Sequence, residues 1–220
     1  MADIQYNFIN LPSRIEFENG HVISYLYDAD GIKLRTTHII GSDTTVTDYC
    51  GNVIYENGIP VKLLTEAGYV TLADSKYHYF VQDHLGNNRV VVDQSGNVEE
   101  VNHYYPFGGL LSSSVSNAVQ PYKYNGKELD RKNGLDWYDY GARMYDAALG
   151  RWHAVDPMSE KYYSISSYVY GLNTPHNCID PDGQKIIFVN GYLGFGSPRG
   201  GGTYWGGVNS SFVKGAKNFF

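Results

Sequence analysis

One short pattern constrains this chain more than any other: Asp, two residues, Gly, then a β-rich run. It occurs at Asp28-Ala29-Asp30-Gly31, Asp48-Tyr49-Cys50-Gly51, Asp83-His84-Leu85-Gly86 and Asp93-Gln94-Ser95-Gly96. An aspartate starts a turn by accepting backbone N–H groups on its carboxylate, and a glycine ends it by taking φ > 0. The flanks are β-branched or alternating, as in Val22-Ile23-Ser24-Tyr25-Leu26-Tyr27 and Arg89-Val90-Val91-Val92. The pattern predicts a string of antiparallel hairpins with strands of about five or six residues. The aspartates are offset by 20, 35 and 10 positions, so the repeat is irregular. Such hairpins bury one another's faces rather than forming a two-layer core.

Composition agrees with that reading. The 220 residues include 25 glycines and 21 tyrosines, and only 18% are charged. Disordered chains show the opposite balance. The formal net charge of −6 argues against a nucleic-acid partner. No apolar run approaches the ~18 residues of a membrane span. The opening Met1-Ala2-Asp3-Ile4-Gln5-Tyr6 has neither the basic nor the apolar region of a classical signal peptide. Cys50 and Cys178 do not make a disulfide framework and read as two separate buried thiols. The seven histidines show no metal-ligand spacing, so neither a metal nor another cofactor is expected.

Helical signals are sparse. Asn125 to Arg131 reads as a turn or a single helical turn. Pro157 to Tyr163 reads as a short helix, with Asp156 as N-cap and Pro157 at the first helical position. The composition changes near residue 183. Gln184 to Gly191 reads as a buried strand, and Gly191 to Gly207 is glycine-rich. The fold class is therefore mainly β, irregular antiparallel hairpins with one or two short helices. Residues 184–220 are too few for an independent domain and read as a short or truncated module.

The stretch from Tyr77 to Gly183 resembles the core domain associated with Rhs/YD-repeat proteins. The resemblance rests on ordered blocks: Asp83-His84-Leu85-Gly86, Tyr104-Tyr105-Pro106-Phe107-Gly108, Tyr124-Asn125-Gly126-Lys127-Glu128-Leu129-Asp130, and Gly134-Leu135-Asp136-Trp137-Tyr138-Asp139-Tyr140-Gly141-Ala142-Arg143. It continues through Gly150-Arg151-Trp152, Asp156-Pro157, Asn173-Thr174-Pro175 and Asp180-Pro181-Asp182-Gly183. Upstream, Tyr25 to Gly31 resembles one YD repeat. Residues 1–76 are thus expected to be degenerate repeat hairpins, 77–183 the core domain and 184–220 a variable tip.

The resemblance implies a β-ribbon shell of a bacterial polymorphic toxin, with the core domain closing its end and carrying a variable effector segment. The partners implied are the chain's own upstream shell, that effector segment and an immunity protein. Delivery to the cell surface or secretion is implied, preceded by a cytoplasmic stage. The resemblance also implies self-cleavage at the junction Gly183-Gln184-Lys185 by an aspartic-type pair, Asp156 and Asp180. Two close carboxylates share a proton, so one acts as base and the other as acid. Arg143 or Arg151 would orient the pair. Three departures count against this chemistry: Ser159 stands where a glycine is usual, the Asp156–Asp180 offset of 24 is slightly long, and Gln184 replaces a leucine. They favour the plainer reading, in which Asp156 caps a short helix, Asp180 starts a turn, and the arginines stack on Tyr or Trp or pair with Asp130, Asp136 or Asp139.

A third expectation, from a different class, is a surface protein that binds glycans through Tyr104-Tyr105 and Trp137-Tyr138-Asp139-Tyr140. A packed β-surface is the plainer reading of those aromatics. The loop from Gly194 to Gly200 lacks both nucleotide-binding spacings, and the chain contains no Gly-x-Ser-x-Gly. Catalysis on an external substrate is therefore not expected.

Overall fold

The turns close through one local chemistry. A computed structural model describes residues 1–112, 114–116, 120–161 and 163–189. In it, β9 (Lys76–Gln82) and β10 (Asn88–Asp93) are joined through Asp83, and β10 and β11 (Val98–Val101) through Asp93. Asp93 Oδ1 accepts the N–H groups of Ser95 and Asn97, both at 2.8 Å. The Gly96 N–H donates to the Asp93 carbonyl at 3.0 Å, with Gly96 at φ 82°. Asp83 binds the N–H groups of Leu85 and Asn87 in the same way, and Asp28 those of Asp30 and Ile32.

Two turns differ from the sequence pattern. Asn7 builds the same turn without an aspartate, accepting from Ile9 and Leu11, and Asn10 takes φ 61° in place of glycine. Conversely, Asp48 starts no turn. It lies inside β5 (Asp43–Cys50), and its carboxylate receives Arg35 Nε at 2.5 Å from the neighbouring strand β4 (Lys33–Ile40). The turn there is the two-residue Gly51-Asn52, with Gly51 at φ 63°.

Twelve strands form one antiparallel meander in strict chain order. Those not yet given are β1 (Asp3–Tyr6), β2 (Pro12–Glu16), β3 (Val22–Tyr27), β6 (Val53–Glu56), β7 (Ile59–Thr65), β8 (Gly68–Thr71) and β12 (Val115–Ser116). Three register shifts fall just before a turn, between Gln5 and Tyr6, Leu26 and Tyr27, and Ile54 and Tyr55. Such bulges raise the local twist. Residues 1–76 and 77–116 share this sheet, with β8 paired to β9.

Beyond residue 120 the strands shorten. β13 (Glu128–Asp130), β14 (Trp137–Asp139), β15 (Met144–Asp146) and β16 (Arg151–Trp152) form a four-stranded sheet, and β17 (Cys178–Ile179) pairs with β18 (Ile187–Phe188). The helical elements among the described residues are four single 3₁₀ turns. One of them, Ser159–Lys161, is all that stands of the helix expected from Pro157 to Tyr163. Asp156 still acts as a cap, its Oδ1 accepting the Met158 N–H at 2.7 Å. Cys50 is exposed rather than buried, because it ends β5 beside an open turn, while Cys178 is buried as expected; both thiols are free.

The core is aromatic. Tyr124, Leu129, Tyr138, Tyr140, Tyr145, Trp152 and Tyr170 form one buried cluster. A buried tyrosine needs a partner for its hydroxyl, and one loop supplies three. Tyr124, Tyr145 and Tyr138 donate to the successive carbonyls of Pro106, Phe107 and Gly108 at 2.9, 2.7 and 2.9 Å. Gly108 sits at φ 90°, and a Cβ there would meet Tyr124 Cδ1 at 2.6 Å. A second cluster joins Ile15, Ile23 and Tyr25 to Leu135, Trp137 and Met144, so the first strands pack on the short ones. Polar contacts cross the same seam. Tyr25 donates to Asp130 at 3.0 Å, and Lys33 lies 2.7 Å from Glu128 and 2.6 Å from Asp139.

Candidate functional site: an arginine-bridged aspartate pair

The turn after β14 brings the chain round at Gly141, at φ 92°, and sets Arg143 facing inward. Arg143 is 2% exposed. Its guanidinium lies over Trp152, 4.2 Å from the ring centre. All its nitrogens are committed. NH2 donates to Asp156 Oδ2 at 3.0 Å and to Asp180 Oδ2 at 3.4 Å, NH1 to the Ser167 carbonyl at 3.2 Å, and Nε to the Gly183 carbonyl at 2.5 Å. One nitrogen thus serves both carboxylates, and the adjacent one grips the backbone at the expected junction.

Asp180 is 1% exposed and ends the short strand β17. Its Oδ1 accepts the N–H groups of Gly183, Gln184 and Asp182 at 2.7, 3.1 and 3.3 Å, which wraps the Asp180–Gly183 turn around it. Gly183 has φ 77°, and a Cβ there would sit 3.1 Å from the Arg143 backbone nitrogen. The close approach requires glycine. Burial pushes the Asp180 carboxyl up to about 6, against the opposing pull of Arg143 and the backbone N–H groups. Burial likewise lowers the Arg143 pKa, which the two carboxylates oppose.

The structure brings Asp156, Asp180, Arg143 and Gly183 together. Gln184 and Lys185 follow directly, their N–H groups both donating to Asp182 Oδ1 at 3.1 Å. Arg151 is not among them. It is exposed on β16, with its guanidinium 4.9 Å from the Tyr168 ring centre, so it takes the stacking role and orients neither aspartate. Trp137, Tyr138 and Tyr140 are buried and offer no surface for stacking sugars. Residues 190–220, including most of the glycine-rich stretch, lie outside the described residues.

Sequence reasoning missed Lys127. Its ammonium donates to the Pro181 carbonyl at 2.6 Å and lies 5.2 Å from the Tyr140 ring centre, holding the outer side of the same turn. The signal was its place beside Tyr124-Asn125-Gly126. Asn125 Oδ1 receives the hydroxyls of both Tyr140 and Tyr170, at 2.7 and 2.6 Å. Chemically, the cluster pairs a carboxyl that titrates near 6 with a fixed cation on a peptide carbonyl. Among the described residues, no group of three or more His, Cys, Asp or Glu is placed to hold a metal ion.

A long antiparallel meander packed on a tyrosine cluster, with an arginine-bridged aspartate pair at its end, defines a segment of a β-shell. The chain belongs to the Teneurin YD-shell family, whose model matches residues 63–175. It is 32% identical over 219 residues to salivary gland surface protein 1 of Aedes aegypti, covering 84% of this chain and 6% of that protein. Toxin subunit YenC2 of Yersinia entomophaga is 36% identical over 100 residues, 44% of this chain and 10% of the subunit. Among solved structures, a Photorhabdus luminescens Tc holotoxin pore superposes with a TM-score of 0.70 at 20% identity. That match covers 87% of this chain and 10% of the other, and it shows the shared fold. The chain spans a tenth or less of each of these proteins.

Proposed function

We propose that this segment closes the end of a longer β-shell and joins it to a variable C-terminal effector segment, within a toxin that is delivered outside the producing cell. The observation that carries this reading is the anchoring of the Asp180–Gly183 turn. Arg143 holds it from inside through Gly183, and Lys127 holds it from outside through Pro181. Both anchors lie just before the composition changes. The division is then 1–76 as shell hairpins, 77–183 as the closing domain and 184–220 as the tip. The toxin-subunit name of one relative supports the class of protein. A secreted toxin also calls for an immunity protein in its producer.

The test replaces residues after 189 with an unrelated folded reporter. The thermal unfolding of the β-region should stay unchanged, because every contact that fixes the junction lies before that point. A chain that no longer folds overturns the modular reading.

A second reading, self-cleavage at Gly183-Gln184-Lys185, is favoured by one observation: Arg143 Nε already sits on the Gly183 carbonyl at 2.5 Å. A fixed donor there stabilises the negative charge that develops when water attacks. Asp156 would take the proton of that water, and Asp180, protonated near pH 6, would return one to the leaving amine. Mass spectrometry decides it. A fragment ending near residue 184 that disappears in Asp156→Asn and Asp180→Asn supports cleavage. Intact 24.7 kDa chain alone sinks it.

A further inference from the structure

A cavity of about 370 Å³ lies between the first strands of the meander and the segment from Gln120 to Lys132. Nothing in the closing function uses it. Its volume falls in the ~300–1,000 Å³ range of small-molecule sites.

Two buried polar atoms on residues of its wall have no protein partner, His38 Nδ1 and Gln120 Oε1. The residues are 8% and 3% exposed. Each side chain is fixed at its other end. His38 Nε2 faces Asp130 Oδ2 at 2.9 Å, and Gln120 Nε2 donates to Glu100 Oε1 at 2.9 Å. With the imidazole proton directed at the carboxylate, Nδ1 is an acceptor, as is the amide oxygen. A buried acceptor left dry costs ~1–3 kcal/mol. The contents of the cavity must therefore donate hydrogen bonds.

The buried charges around the cavity are matched within the protein. Lys33 is held by Glu128 and Asp139, Lys123 by Glu100 at 2.5 Å, and Asp130 by His38. A charged ligand would disturb pairs that a neutral one leaves intact. Tyr25, Tyr49 and Tyr122 add aromatic wall. The first two are locked by their hydroxyls, Tyr25 to Asp130 at 3.0 Å and Tyr49 to Glu128 at 2.8 Å. Exposed Arg131 and Lys132 mark where the wall reaches solvent.

We propose that this cavity binds a neutral mono- or disaccharide. Sugar hydroxyls would donate to His38 Nδ1 and Gln120 Oε1, and the ring C–H faces would pack on the tyrosines. This places carbohydrate in an interior pocket, away from the buried Trp137–Tyr140 run.

Titration calorimetry of the 220-residue chain against a panel of neutral disaccharides tests it, with spermidine and glucose 6-phosphate as charged controls. At least one neutral sugar should bind saturably, and more tightly than either control. Gln120→Leu should weaken it about tenfold, the loss expected for one hydrogen bond to a buried acceptor. Thr47→Trp adds bulk to the wall without touching an unpartnered atom, and should abolish binding while the melting curve shows a folded chain. The proposal falls if no neutral sugar binds at millimolar concentration, or if a charged control binds more tightly. It also falls if Thr47→Trp folds and binds as the parent does. Should Thr47→Trp fail to fold, Gln120→Leu decides, and unchanged affinity there overturns the proposal.

Discussion

The meander and the region after residue 120 bury tyrosine in the same chain, but different forces hold them. Strands β3 to β5 run six to eight residues and pair in register along their whole length. There the backbone ladder fixes the structure, and Leu26, Ile39 and Ile59 stand exposed without consequence. Strands β13 to β16 have two or three residues each, too few for a ladder to hold alone. That region depends on side chains instead: a bridging arginine, tyrosine hydroxyls on a loop, and an asparagine shared by two phenols. Side-chain substitutions should therefore be tolerated in the first region and costly in the second.

The sharpest test is Arg143→Met. It leaves Asp156 and Asp180 buried without their cation, a change that costs ~3–5 kcal/mol in comparable sites. Chemical denaturation at pH 7 should show a loss of that order. Arg35→Met, which removes an exposed partner of Asp48 on the meander, should cost less than about 1 kcal/mol. Equal effects would break the contrast between the regions.

Next comes Asp180→Asn. The folded-state pKa of Asp180, about 6, lies above the ordinary carboxylate value. The folded state therefore binds more protons than the unfolded one between about pH 4 and 6, and stability falls as pH rises through that window. Asparagine keeps the oxygen that accepts the turn's N–H groups and removes the surplus negative charge beside Arg143. The variant should be more stable than the parent by roughly 2 kcal/mol above pH 6, and the advantage should vanish toward pH 4. A pH-independent difference would show that the burial of charge is not what matters.

Glycines sharpen the same comparison. At Gly108 a Cβ meets the Tyr124 ring at 2.6 and 2.7 Å with φ at 90°, whereas at Gly41 in the meander nothing lies within 4 Å at φ 62°. Gly108→Ala should cost ~2 kcal/mol or more, through both strain and overpacking. Gly41→Ala should cost only the conformational strain, ~1 kcal/mol. Differential scanning calorimetry of the two variants separates the contributions.

The meander was legible from local chemistry, because an Asp-x-x-Gly turn encodes its own geometry. Asp28, Asp83 and Asp93 all act as the pattern predicts. The pattern failed where another partner competed. Asp48 faces Arg35 across the strands and has no need of turn amides, and Asn7 does an aspartate's work unannounced. The helix expected after Asp156 collapsed to one 3₁₀ turn, because a cap and a proline start a helix but no apolar period follows to sustain it. The candidate site was not legible in spacing at all. Arg143, Asp156 and Asp180 meet across 37 residues, and only the family resemblance drew them together. The cavity below Gln120 left no signal either, since its walls come from four separated stretches.

The smallest predicted effect probes what replaces the ladder. Tyr124, Tyr138 and Tyr145 each anchor one carbonyl of the loop at Pro106, Phe107 and Gly108. Replacing one with phenylalanine keeps the ring and its packing, and removes only the O–H donor. The stranded carbonyl should make each variant less stable by ~1 kcal/mol, the usual net worth of such a bond. The three bonds serve one loop, so the losses should not add. A first removal lets the loop shift, and a second finds its bond already weakened. The triple variant should therefore lose less than three single losses, measured by denaturant unfolding. Tyr79→Phe is the control in the meander, where the side chain is 42% exposed. It should change stability by no more than about 0.5 kcal/mol. Strict additivity among the three would mean that each hydroxyl holds its own carbonyl independently, and that the loop is no single clamp on the tyrosine cluster.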